Sequence, residues 1–280
     1  MTYSELYDEL INILTNNYDT RECINIAEIY LRDKFDQSKT SVQIVSQTNF
    51  DLFTSDVKKF KNHYPLQYIT GKTFFYKSYF NVSESVLIPR PETEELVDIG
   101  IKEIKKNNYQ KIIDIGTGSG CIAISAGLEC KESKIDAIDI STNALNIAEQ
   151  NAILNNTGNI IFRNLDFLNE ENWKSLGNYD LIISNPPYIA LNEKSFMTAS
   201  TLKHEPHIAL FAQGNDPLIF YKKIISFAKD GHLNQNGIIL CEINEFLSNS
   251  LKEFLITTTF NYEVLFDMQG KERIIRIQKS

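Results

Sequence analysis

Lys111-Ile112-Ile113-Asp114-Ile115-Gly116-Thr117-Gly118-Ser119-Gly120 runs from a β-branched, apolar stretch straight into alternating glycines. This reads as a buried strand that enters a tight turn and then a helix. Glycine at every second position lets the backbone turn sharply and approach a ligand, because no Cβ stands in the way. In a doubly wound sheet such a turn lies at the carboxyl edge of the strands, where cofactors bind. The dinucleotide fingerprint G-x-G-x-x-G needs glycine at 121, and Cys121 stands there, so a pyrophosphate loop is the weaker reading. Asp114, ahead of the first glycine, points to a cofactor carrying a positive charge or an ammonium group. The next strand ends at Asp139, whose carboxylate is placed to accept hydrogen bonds from both ribose hydroxyls.

Outward from this loop the chain keeps alternating. Strands are expected at Lys111–Ile115, Lys134–Asp139, Ile160–Arg163, Asp180–Ser184, Gly237–Glu242, Tyr262–Phe266 and Arg273–Ile277. Helices are expected to start near Ser119, Thr142, Leu218 and Glu245, with another opened by Pro91 and the acids Glu92, Glu94 and Glu95. Alternation of this kind implies α/β architecture, a mostly parallel sheet with helices on both faces. The last two strands have no helix between them, which predicts an antiparallel hairpin turned by Gly270. Upstream, apolar residues recur at intervals of three and four: Leu6, Leu10 and Ile13; Ile24, Ala27 and Leu31; Phe50, Phe53, Val57 and Phe60. These predict a helical bundle with helices capped by Thr2 or Ser4, by Thr20, and near Thr48. After Gly71 the aromatic run Phe74–Phe80 predicts a hairpin. The expected division is a helical domain over 1–70, a hairpin linker over 71–85 and an α/β domain over 86–280.

Ile182-Ile183-Ser184-Asn185-Pro186-Pro187-Tyr188 carries the chemistry. It follows an apolar strand, so Asn185 is expected at the same edge as the glycine loop. Two prolines stiffen the backbone and remove two N–H donors, leaving carbonyl acceptors facing outward. Asn185 adds a side-chain carbonyl and Tyr188 a flat apolar face. An amide or aromatic-amine nitrogen is a poor nucleophile because its lone pair is delocalised. The Asn185 side-chain oxygen and the Pro186 carbonyl would hold both N–H bonds and turn that lone pair toward an electrophilic methyl group. Tyr188 would stack on the target, with Pro187 beside it.

Composition sets bounds. A net charge of −8 without a Lys/Arg tail suits broad phosphate-backbone binding poorly. No apolar run is long enough for a membrane span, and MTYSELYDEL lacks the layout of a signal peptide, so the cytoplasm is the expected location. Cys23, Cys121, Cys130 and Cys241 form no C-x-x-C pair, and His63, His204, His207 and His232 form no metal spacing. Neither disulfides nor a metal is expected.

The glycine loop, its terminal acid and the alternating elements together resemble the class I S-adenosylmethionine-dependent methyltransferases. That resemblance implies a seven-stranded, Rossmann-like sheet and S-adenosyl-L-methionine as cofactor. It assigns Gly116, Thr117, Gly118, Ser119 and Gly120 to the methionine part, Asp139 to the ribose, and Asp166 with Phe167 to the adenine. The Asn-Pro-Pro-Tyr loop is similar to that of enzymes acting on exocyclic base amines and of enzymes acting on protein glutamine. Val86-Leu87-Ile88-Pro89-Arg90-Pro91-Glu92-Thr93-Glu94-Glu95-Leu96-Val97 resembles the signature of the HemK/PrmC release factor glutamine methyltransferases, as do Gly71 with Phe75 and Glu205-Pro206 with Ala209-Leu210. Ribosomal-protein glutamine methyltransferases usually carry Pro-Arg-Ser where this chain has Pro89-Arg90-Pro91, and Phe167 replaces a frequent tryptophan of the family. The implied activity is methylation of the glutamine amide in the Gly-Gly-Gln loop of class I peptide chain release factors, gripped by the N-terminal bundle. A ribosomal-protein glutamine methyltransferase and a nucleic-acid exocyclic-amine methyltransferase are the alternatives.

Overall fold

A computed structural model describes residues 1–189, 199–212, 214 and 216–279. The chain divides into two compact units, Met1–Lys72 with Thr198–His204, and Thr73–Met197 with Glu205–Ser280.

The first unit is built from α1 (Tyr3–Leu14), α2 (Thr20–Phe35), α3 (Gln47–Lys61) and α4 (Leu66–Thr70). Thr2 caps α1 in a reciprocal box: its hydroxyl accepts from Glu5 N, and the Glu5 carboxylate accepts from Thr2 N. Asp19, not Thr20, caps α2, because its carboxylate one residue earlier reaches Glu22 N and faces the positive helix end. Ser46 caps α3, two residues before the expected start. Helix α4 is too short to show a period in the sequence, and Gly71 ends it in the left-handed region at φ 76°. Leu6, Leu10, Leu14, Tyr30, Leu31, Phe53 and Phe60 form this unit's core.

The second unit begins one residue into the hairpin of β1 (Lys72–Phe75) and β2 (Ser78–Asn81), followed by α5 (Pro91–Asn107), β3 (Lys111–Ile115), α6 (Cys121–Glu129), β4 (Lys134–Asp139), α7 (Thr142–Leu154), β5 (Ile160–Asn164) and β6 (Tyr179–Ser184). Helix α8 (Ala199–His204) belongs to the first unit. Then come α9 (His207–Leu210), α10 (Ile219–Phe227), β7 (Leu233–Glu242), α11 (Ser248–Ile256), β8 (Phe260–Phe266) and β9 (Glu272–Lys279). The hairpin expected as a linker packs Phe75 and Phe80 into the core of this unit. Asn151 of α7 fastens it: its side-chain oxygen accepts from Asn81 N at 2.6 Å, and its amide donates to Asn81 O and to Ser119 O.

The sheet order is β5-β4-β3-β6-β7-β9-β8, parallel from β5 to β7, with β9 antiparallel between β7 and β8. Gly270, at φ 79°, lies in the β8–β9 connection. Period-two alternation sends neighbours to opposite faces. Ile113, Ile115, Ile182 and Ile239 enter the core shared with α10 and α11, while Ile112, Leu181, Ile183 and Ile238 enter the one shared with α5 and α6. Fully burying each such side chain contributes roughly 1.5–3 kcal/mol. Chain order reverses between β3 and β6, the crevice in which open α/β sheets take ligands. There the Ser184 hydroxyl donates to Ile115 O at 2.7 Å and locks the two strand ends together.

Candidate active site

The three glycines after β3 do different work. Gly116, Gly118 and Gly120 have φ of 75°, 55° and 80°. A Cβ at Gly116 or Gly118 would meet nothing within 4 Å, and both residues line a cleft at the carboxyl ends of the strands. A Cβ at Gly120 would stand 2.9 Å from Ile124 Cδ1 and 3.1 Å from Ala148 Cβ. Gly116 and Gly118 thus keep the cleft open, while Gly120 lets α6 approach α7. The amides of Gly116 and Thr117 both donate to Ile138 O at 2.9 Å. Asp114 is completely buried and does not line the cleft, so it is not the exposed partner of a cationic ligand that its position suggests. It accepts from the Thr117 hydroxyl at 2.6 Å, and the Ala123 backbone amide also faces it. Burial pushes its carboxyl up to about 7 against the Thr117 hydrogen bond.

Asp139, at the end of β4, is on the cleft wall. Its two oxygens accept from Gly118 N at 2.9 Å and Ser141 N at 2.8 Å. Burial raises its pKa, and those backbone amides oppose the rise. Asp166 and Phe167, just past β5, also line the cleft. Phe167 packs against Trp173 at 5.5 Å and Phe227 at 5.4 Å between ring centroids. Ser85, Val86 and Leu87 form another part of the wall, with Ile208 and Ala209. Of the expected cofactor residues, Gly116, Gly118, Asp139, Asp166, Phe167 and Asn185 reach the cleft. Thr117, Ser119 and Gly120 do not: the first two are buried within the loop.

Asn185 and Pro187 line the cleft, whereas Pro186 and Tyr188 do not. The half-buried Tyr188 ring packs against the apolar core, and its hydroxyl donates to Glu242 Oε1 at 3.2 Å. Burial, and then the Glu242 charge, hold the Tyr188 phenol well above its ordinary pKa. The Asn185 amide donates to the Thr93 hydroxyl at 3.0 Å, and Thr93 donates to Glu242 Oε2 at 2.7 Å. Among the described residues no donor reaches Asn185 Oδ1 or the Pro186 carbonyl. Glu242 is buried at the end of β7, where the parallel register pairs Ser184 with Cys241. Burial raises its pKa, opposed by Thr93, the Arg273 charge and Tyr188.

Thr93, Glu242 and Glu205 were not singled out for these roles by the sequence. Thr93 reads as a first-turn residue and Glu242 as a strand end, and they are brought together from 149 positions apart. Arg90 pairs with Glu205 at 2.5 Å, and Glu205 also accepts from Ile88 N at 3.3 Å. The pair joins the stretch after Ser85–Leu87 to the stretch before Ile208–Ala209, both of which wall the cleft. The donor set suits a nucleoside cofactor bearing an uncharged or cationic chain: a carboxylate for hydroxyls, an aromatic wall, and bare backbone at Gly116 and Gly118. No group of three or more His, Cys, Asp or Glu is placed to hold a metal ion among the described residues.

A parallel sheet with one antiparallel strand near its edge, carrying a glycine loop and an Asn-Pro-Pro-Tyr loop across the switch point, defines the class I methyltransferase fold. The family model of the Methyltransferase small domain matches residues 95–265. A release factor glutamine methyltransferase of Flavobacterium psychrophilum is 42% identical over 221 residues, covering 78% of this chain and 76% of the relative. One from Thermodesulfovibrio yellowstonii is 34% identical over 275 residues, 97% of this chain and 96% of the relative. The solved structure of a ribosomal protein L11 methylase from Lactobacillus delbrueckii subsp. bulgaricus superimposes with a TM-score of 0.50 at 22% identity, covering 71% of this chain and 84% of that one, which bears on the fold alone. The chain belongs to the release factor glutamine methyltransferase family.

Proposed function

We propose that this protein transfers the methyl group of S-adenosyl-L-methionine to the side-chain amide nitrogen of the glutamine in the Gly-Gly-Gln loop of class I peptide chain release factors. The observation that carries this reading is Asn185: it stands on the wall of the cleft with its amide nitrogen committed to Thr93 and its carbonyl oxygen uncommitted. The cofactor supplies an activated methyl on a sulfonium, so the protein needs no strong base. Asp139 holds the ribose hydroxyls, Asp166 and Phe167 take the adenine, and the glycine backbone admits the methionine part. Asn185 Oδ1 and the Pro186 carbonyl accept the two amide N–H bonds and favour a pyramidal nitrogen. These acceptors are fixed in advance, so they stabilise developing positive charge without reorganisation. The helical unit over residues 1–70 grips the protein substrate, and the reaction takes place in the cytoplasm, where release factors act. No helix among the described residues is long and apolar enough to cross a membrane.

The test is methyl transfer from labelled S-adenosyl-L-methionine to a purified release factor. Incorporation should be lost when the glutamine of Gly-Gly-Gln becomes alanine. Label retained by that variant, or incorporated only into nucleic acid or a ribosomal protein, would refute the reading.

A further inference from the structure

We infer that Thr93 and Glu242 are positioning residues whose hydrogen-bond polarity fixes which end of the Asn185 amide faces the substrate. The inference rests on the proposed reaction at this rim. The two ends of an asparagine amide are nearly identical in shape, so packing alone does not orient one. The network does so by donor counting. Burial works against a charge on Glu242, but the Thr93 and Tyr188 hydroxyls and the nearby Arg273 charge favour the carboxylate; in that form it only accepts, and the Thr93 hydroxyl, 2.7 Å from Oε2, spends its single proton there. Toward Asn185, Thr93 then has only lone pairs to offer. Asn185 must therefore present its Nδ2 across the 3.0 Å contact, which turns Oδ1 the other way. The other carboxylate oxygen is occupied by the Tyr188 hydroxyl at 3.2 Å. The Glu242 carbonyl is held by the Tyr221 hydroxyl at 2.9 Å, so the end of β7 is pinned.

A reversed amide would oppose an NH2 to the substrate's NH2, two donors with no acceptor between them. Glu242→Gln makes that reversal available with almost no change in shape. The glutamine NH2 can donate to Thr93, which frees the Thr93 proton for Asn185 Oδ1. Thr93→Val keeps the volume and removes the hydroxyl altogether, whereas Thr93→Ser keeps the hydroxyl.

The experiment uses the full chain with a release factor as substrate. It measures kcat and KM, cofactor affinity by calorimetry, and hydrogen exchange of the Asn185 side-chain NH2 in asparagine-labelled protein by NMR. Glu242→Gln and Thr93→Val are expected to lower kcat by about 100-fold, the scale of losing one preorganised group, with KM and cofactor affinity within about twofold. Thr93→Ser should stay within about threefold of wild type, and Thr93→Val should speed Asn185 NH2 exchange. Turnover of Glu242→Gln within about twofold of wild type would overturn the inference, as would a kcat loss matched by an equal loss of cofactor affinity. If the unaltered protein does not methylate a release factor, the reaction assignment fails. The exchange measurement then decides the relay alone, and unchanged protection in Thr93→Val would overturn it.

Discussion

Replacing Arg90 by alanine removes the charge paired with a nearly enclosed carboxylate. The Glu205 side chain is 2% exposed and Arg90 34%, with Nη2 and Oε1 2.5 Å apart. Losing one partner of a fully buried pair costs about 3–5 kcal/mol, most of it the penalty of an unpaired charge out of water. Arg90 is partly solvated and Glu205 keeps the Ile88 amide, so about 2–3 kcal/mol is expected here. Glu205→Gln leaves a neutral group that still reaches Ile88 and Arg90, and should cost about 1–2 kcal/mol. In the double variant no buried charge remains, so its loss should fall short of the sum by about 1–2 kcal/mol. The chain's one tryptophan, Trp173, is buried in the second unit and reports on its unfolding. Urea titration at pH 7, read by Trp173 fluorescence, gives the four stabilities of the cycle. Salt at 1 M should leave most of the coupling in place, since a buried pair is poorly screened. An Arg90→Ala loss below about 0.5 kcal/mol, or strict additivity in the double variant, would refute the reasoning.

Gly120→Ala forces a left-handed residue and pushes a methyl against Ala148, so urea titration should show a loss of about 2–3 kcal/mol. Asp114 titrates near 7 in the fold and near 3.8 when unfolded, so the folded state holds the extra proton between those values. Stability of the cofactor-free protein should therefore fall as pH rises from about 4 to about 7, by up to ~4 kcal/mol from this group, and Asp114→Asn should flatten that slope in urea titrations. Asp139→Ala should weaken cofactor binding about 10- to 100-fold by calorimetry, with kcat at saturation little changed. Asn185→Ala should do the reverse, raising the barrier by about 3 kcal/mol with cofactor affinity kept, as steady-state kinetics would show.

Strands β3 and β4 were legible to the residue because isoleucine recurs in both, each opens on a lysine, and Gly116 and the acid Asp139 mark where they end. Their sequence also announced the cleft, since strand ends in such a sheet share one edge. The start of β7 was read late, at Gly237 instead of Leu233, because Asn234, Gln235 and Asn236 mimic a loop. Asn234 is retained in the strand by donating to Asp180. Asn185 was legible from its prolines, but what orients it was not. Thr93 and Glu242 are meaningful only as a pair, and their pairing exists only once α5 and β7 have packed. Nor does the sequence around Tyr188 hint that its hydroxyl finds a partner in another strand, Glu242 at the end of β7.

Asn151 offers two donors and one acceptor and spends all three, on both backbone groups of Asn81 and on Ser119 O. Aspartate could not give those protons, leucine could give or take none, and glutamine is one methylene too long for the same space. Both hairpin contacts run to the Asn81 main chain, so the side chain at 81 is free to vary while the amide at 151 is not. The small appendage at the front of the second unit and the glycine loop thus hang on a single side chain.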